Sequence, residues 1–271
     1  GASVVGAVVV GSSGTLTNNG TITGTLGITG GLTDNAGIVT GATTISGGTL
    51  NLAAGSDLAN AAALTVSGGT VNVNANDTVG GVSLQGGAIN GAAVLTSASA
   101  FDVQSGSAAA ILDGSVGLNK TTAGTVTLSG ANTYTGATAI TAGTLSISDG
   151  AALGTTAGAT TVSSGATLAL SGGITTGEAI TLNGTGVASG GALRNLSGTN
   201  DVTGVITLGS NASIMVDAGQ LNVGDVTGSN VTLTVGGAAG DIHLTGPITT
   251  GTGGLIKEGA STVWVEGINT F

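Results

Sequence analysis

The sequence predicts an all-β chain wound as a parallel β-solenoid, with roughly three short strands in each coil. Three observations predict it. Strand-sized motifs recur about every twenty residues along the 271-residue chain. Apolar and polar residues alternate with period two inside each motif, which puts one set on each face of a strand. The apolar set consists of small aliphatic side chains, as a narrow interior requires.

The recurrence is clearest where Thr43-Thr44-Ile45-Ser46-Gly47-Gly48-Thr49-Leu50-Asn51-Leu52 returns 21 residues later as Leu64-Thr65-Val66-Ser67-Gly68-Gly69-Thr70-Val71-Asn72-Val73. Six of the ten positions are identical and three exchange one aliphatic for another. Looser copies start at Gly124, Gly143, Ala166 and Gly219. Strands of four to six residues are punctuated by Gly, Asn and Asp, which tolerate left-handed backbone angles. About thirteen coils stacked at the ~4.8 Å strand spacing would make one continuous solenoid over residues 1–271.

Composition excludes the alternatives. Glycine fills 54 of 271 positions, where about 7% is usual, yet the single Pro rules out collagen. The Val, Ile and Leu spread along the chain are too many for a disordered linker. A sandwich would bury several large aromatics and a membrane barrel would need aromatic girdles, but Trp, Tyr and Phe total four. Three Lys and Arg against 13 Asp and Glu give a charge of −10. That balance argues against nucleic acid, whose phosphates need clustered cations. No apolar run reaches the 18 or more residues of a membrane helix, so no membrane insertion is expected of this segment. With neither a leading Met nor a closing motif, the chain from Gly1 to Phe271 reads as a piece of something longer.

No catalytic, metal or cofactor constellation is expected. Cysteine is absent and His243 is the one histidine, too few for a His/Cys metal site. The carboxylates are scattered singly, and Gly236–Leu244 is a degenerate echo of a calcium-binding nonapeptide, read as coincidence. Trp264 is the exploratory ligand-binding residue. Val263 and Val265 point inward by period two, which turns the indole outward, either to stack on a sugar or to pack against a neighbouring coil. Phe101 is expected to plug a coil end or corner. Asn72, Asn74 and Asn76 are expected in stacked amide ladders along an outer face or a corner.

A longer repeat carries a family resemblance. Gly117-Leu118-Asn119-Lys120-Thr121-Thr122-Ala123-Gly124-Thr125-Val126-Thr127-Leu128-Ser129-Gly130-Ala131-Asn132-Thr133-Tyr134 returns at 254–271, with nine of eighteen positions identical. Two of the three cations, Lys120 and Lys257, share one repeat position, and Tyr134 and Phe271 share another. Residues 117–147 resemble the autotransporter-associated β-strand repeat, also called the passenger-associated transport repeat, with 254–271 as a second, more divergent copy. Residues 1–60 resemble it only in composition. The resemblance implies a right-handed β-helical passenger of a bacterial surface or secreted protein, with an outer-membrane translocator barrel downstream. It implies a non-enzymatic stalk serving adhesion, autoaggregation or biofilm formation, with a host-surface or matrix ligand or self-association as partner. A self-assembling extracellular filament subunit and a glycan-binding β-helix module remain the alternatives.

Overall fold

A computed structural model describes residues 2–270, and they form two compact units, 2–119 with 129–136 and 120–128 with 137–270. Both are built from parallel strands, and the helical segment among the described residues is the 3-10 turn Val187–Ser189.

In the first unit each coil lays one strand on each of three faces. Val8–Val10, Leu26–Asn35, Thr43–Leu52, Ala63–Val66, Gly81–Leu84 and Phe101–Val103 stack on one face. Thr15–Asn18, the later halves of the two ten-residue strands, Thr70–Val73, Ala88–Asn90 and Gly106–Ala108 form the second. The third holds Ser3–Val5, Thr21–Thr23, Ile38–Val39 and Asp57–Leu58, and further along Asp77–Val79, Val94–Ser97 and Ile111–Asp113.

In the second unit one face stacks Thr125–Leu128, Gly143–Ile147, Ala166–Leu170, Leu193–Asn195, the later half of Ile206–Val216, Leu233–Gly237 and Leu255–Gly259. Another stacks Thr138–Ile140, Thr160–Val162, Ile180–Gly184, the start of Ile206–Val216, Val226–Gly228 and Ile248–Thr249. The third is a five-stranded sheet of Thr175–Thr176, Thr199–Val202, Gln220–Val223, Asp241–Leu244 and Thr262–Val265.

Period two explains the packing. Along one column Val126 faces Leu145, then Leu168, Leu193, Ile214 and Val235, and all six are fully buried. Each such side chain contributes about 1.5–3 kcal/mol by leaving water. Strand partners lie between 43 − 26 = 17 residues apart (Leu26 and Thr43) and 212 − 184 = 28 apart (Gly184 and Ala212). The expected step near twenty is therefore a mean and not a fixed period, because corners absorb insertions. One is the turn at 185–191, where the next coil passes directly from Ala212 to Ile214.

This variability puts the two long repeat copies out of phase. Thr125–Leu128 lies in the column that runs to Leu255–Gly259, whereas its sequence counterpart Thr262–Val265 lies in the five-stranded sheet. Similar sequence therefore occupies different faces of the coil. Phe271, the second copy's aromatic, lies outside the described residues.

Corners fix the tight turns. Gly48, Gly69 and Gly87 sit one above another with φ of 70°, 67° and 71°. A Cβ on Gly69 would fall well inside contact distance of the Gly48 carbonyl oxygen, and one on Gly87 would meet the Gly69 carbonyl in the same way. Glycine is required twice over, by left-handed backbone and by coil contact. Gly69→Ala should cost at least the ~1–3 kcal/mol of a non-glycine residue held left-handed. Gly11→Ala, where a Cβ meets nothing, should be near neutral. Urea denaturation of both variants checks this, and equal midpoints would refute the corner account.

Candidate functional site

The outer face of the five-stranded sheet in the second unit carries polar side chains and the Trp264 indole in register. Four of its strands repeat at a constant step: Thr199, Gln220, Asp241 and Thr262 pair in sequence, each 21 residues after the last. Inward positions Val202, Val223 and Leu244 are buried. Outward, the central column runs Thr175, Asp201, Asn222, His243 and Trp264.

Side chains along this column bind one another. Thr175 Oγ1 donates to Asp201 Oδ2 at 3.1 Å, and Asn222 Nδ2 donates to Asp201 Oδ1 at 2.6 Å. Gln220 Nε2 donates to Asn222 Oδ1 at 2.6 Å. The His243 ring stacks on the Trp264 indole, centroids 5.7 Å apart and planes at 19°, while His243 Nδ1 lies 2.9 Å from Glu266 Oε1. Trp264 is 53% exposed. It projects outward, as the alternation predicts, and it packs against the preceding coil. Val263 and Val265 lie over the buried Ile242 and Leu244. Val265 is nonetheless 45% exposed, because no described strand stacks on the other side of this coil.

Beside the central column Thr203, Gly224, Thr245 and Glu266 follow their strands at equivalent positions. Gly224 interrupts them with no side chain, and a hollow of about 330 Å³ opens there, lined by Asp201, Val202, Thr203, Asn222, Gly224 and Thr245. Sequence reasoning missed this hollow and the Asp201–Asn222 pair. The 21-residue step of the four strands was the signal that could have found them.

Other singled-out residues are structural in placement. Lys120 is fully buried and its ammonium donates to the carbonyls of Thr122 and, at 3.0 Å, Ala142; burial pushes its pKa down. Lys257 makes the same kind of contact from an exposed position, 2.8 Å to the carbonyls of Glu258 and Gly259. Phe101 is buried within a strand and its ring lies 5.9 Å from Tyr134, also buried. Asn72 enters an amide ladder, donating to Asn51 Oδ1 at 2.7 Å, and Asn51 donates to Asp34 at 2.7 Å. Asn74 and Asn76 do not extend that ladder: both lie beyond the strand, and Asn76 Oδ1 instead accepts from the Val94 amide. Gly236–Leu244 spans two strands and the corner between them. No group of three His, Cys, Asp or Glu among the described residues is placed to hold a metal ion.

With this geometry in view, the comparisons with known proteins decide the class. The passenger-associated-transport-repeat profile matches residues 32–52 and 118–147. The chain is also 32% identical over 299 aligned positions to the adhesin BmaC autotransporter of Brucella suis biovar 1 (strain 1330). This is an autotransporter passenger repeat region. The alignment covers 82% of the chain but 8% of that relative, so the passenger segment corresponds to a small part of a much longer protein. No solved structure matches it. The 118–147 match coincides with the copy expected at 117–147. The match at 32–52 falls where only composition had pointed to the family, and the copy at 254–271 lies outside both matched stretches.

Two buried acids distinguish the passenger's interior. Glu178, 2% exposed, accepts from Thr160 Oγ1 at 3.2 Å through Oε1, and Oε2 has no partner among the described residues. Burial pushes its pKa up to about 7. Asp77 is raised to about 6 by burial, against hydrogen bonds from the Leu58 and Thr78 amides and with the Asp57 charge adding to the rise. A carboxyl whose pKa is higher folded than unfolded stabilises fully below its unfolded value, and that stability is lost as pH rises through the folded value. The passenger should therefore be more stable at pH 5 than at pH 8. Glu178→Gln should raise stability at pH 8 by on the order of 3 kcal/mol and reduce the slope above pH 5, leaving the share that Asp77 contributes. Urea titrations at several pH values measure this; a slope in Glu178→Gln equal to the wild type's would refute it. Separately, Lys120→Met orphans two carbonyls and should cost about 1–3 kcal/mol, against under about 0.5 kcal/mol for the exposed Lys257→Met. Equal losses in thermal unfolding would show that the two lysines do not differ as described.

Proposed function

We propose that this passenger segment is a non-enzymatic structural and adhesive element, displayed at a bacterial surface or secreted, that extends and presents an outer face to a host-surface or matrix ligand. The observation that supports it best is the contrast between the two sides of each strand. Inside, aliphatic columns repeat from coil to coil. Outside, the five-stranded face varies from Thr175 to Asp201, Asn222, His243 and Trp264 along a single column. A solenoid distributes stability over nearest-neighbour coils, which leaves its outer positions free to diversify.

The adhesin relative supports the adhesive part of the reading, and the scattered single carboxylates with few cations support its non-enzymatic part. One continuous solenoid over 1–271, a translocator barrel downstream in the parent protein, and contributions to autoaggregation or biofilm belong to the same proposal. Beads coated with the 271-residue chain should adhere to cultured host cells or to immobilised extracellular matrix at least several-fold above beads carrying an unrelated β-protein. Adhesion no greater than the control would leave the segment as a spacer and overturn the adhesive reading.

A further inference from the structure

We propose that the face formed by Gln220, Asn222, Asp201, Thr203, Thr245 and Trp264 binds a neutral oligosaccharide, with Gly224 as the floor of the site. The inference deepens the reading of the segment as an outward-presenting passenger and names the chemistry of the ligand.

Gly224 carries the argument. At the corners, glycine is imposed by left-handed φ or by the carbonyl of the coil below. Neither applies at Gly224. Its φ is outside the left-handed region, and a Cβ there would lie 3.4 Å from the Val202 carbonyl oxygen and 3.5 Å from that of Thr203, ordinary van der Waals contact. A threonine would continue the column set by Thr203 and Thr245. The backbone thus accepts a side chain, and its absence opens the hollow.

The groups around the hollow suit sugar hydroxyls, which both donate and accept. Thr203 and Thr245 spend their hydroxyl protons on the carbonyls of Thr176 and Val223, at 3.1 and 3.0 Å, and so turn acceptor lone pairs outward. Asn222 and Gln220 each use one amide N–H within the column and keep a second donor. Asp201 adds a charged acceptor. At one end the indole of Trp264 stacks on His243, itself anchored near Glu266, and its edge bounds the face with an apolar group. Successive coils set these different groups ~4.8 Å apart, comparable to the advance of one sugar ring.

Charge selects among saccharides. Asp201, Asp241 and Glu266 lie on this face, and the face columns contain no Lys or Arg. Uronate, sialyl or sulfated chains would meet repulsion, whereas neutral hexoses would not.

Trp264 is the chain's one tryptophan, so its fluorescence reports directly on the site. The full chain is titrated with maltohexaose, cellohexaose, chitohexaose and mannohexaose, and with hexagalacturonate as the anionic counterpart. At least one neutral hexasaccharide should shift or quench the emission saturably, and hexagalacturonate should not. Calorimetry with the same sugar should show about a tenfold weaker affinity for Asn222→Ala and at least a tenfold loss for Gly224→Thr. Far-UV circular dichroism of Gly224→Thr should match the wild type; should that variant misfold, Gly224→Ala takes its place. No response to any neutral sugar, equal binding of hexagalacturonate, or full affinity in a folded Gly224 variant would each overturn the proposal. Bead adhesion by a chain that binds none of these sugars would leave the adhesive reading standing and this one refuted.

Discussion

At the corner glycines the carbonyl oxygen of one coil occupies the volume in which the next coil's Cβ would stand, as between Gly48 and Gly69. Parallel strands can close their ladders at ~4.8 Å only when the corners between them stack equally tightly. Much of the rest follows. Corners that admit no side chain demand glycine, and interiors bounded by three short strands admit Val, Leu, Ile and Ala more readily than rings. Phe101 and Tyr134 are accommodated as a pair, buried against each other. Low aromatic content and high glycine content are thus two readings of one spacing.

Tight stacking also decides what polar groups do. A buried corner leaves amides and carbonyls that water cannot reach, and each needs a partner. Asn18 donates to Asn35, and Asn35 to Ser56, at 2.7 and 2.8 Å; the Ser56 hydroxyl lies within 3.4 Å of Asp77. This inner column tracks the coils as the aliphatic columns do. Lys120 answers the same need with a charge, capping carbonyls from two successive coils. Lys120 thus acts as a clip between coils, whereas Lys257 at the equivalent repeat position bonds only carbonyls of its own coil. Glu178 departs from the pattern, because one carboxyl oxygen is buried without a partner among the described residues. Its raised pKa is the thermodynamic expression of that omission.

The fold was legible because its rules are local. Period-two alternation and Gly-Gly-Thr corners identify strands and turns within ten residues, as in Thr43–Leu52. What escaped the sequence is set by coil length. The step varies with insertions that leave no mark on the strands themselves, so the copies at 117–134 and 254–271 look equivalent and yet lie on different faces. The outward direction of Trp264 was legible from alternation alone. Its stacking on His243 required knowing that Asp241–Leu244 and Thr262–Val265 are adjacent coils. The constant 21-residue step carried that information in a region where the eye is drawn to the louder repeat.

Glycine therefore has two meanings in this passenger, and composition merges them. Where φ is positive or a carbonyl intrudes, the residue reflects the path of the chain and says nothing of function. Gly224 satisfies neither condition, a property it shares with Gly11 and Gly177, and what sets it apart is the polar hollow it opens. Every outward position of a coil can be filled without disturbing the core, since the side chain points away from it. A missing side chain there gains no packing and costs backbone entropy in the folded state. An uncompensated loss of that kind, set between two threonines in a polar column, is best explained by the space it leaves.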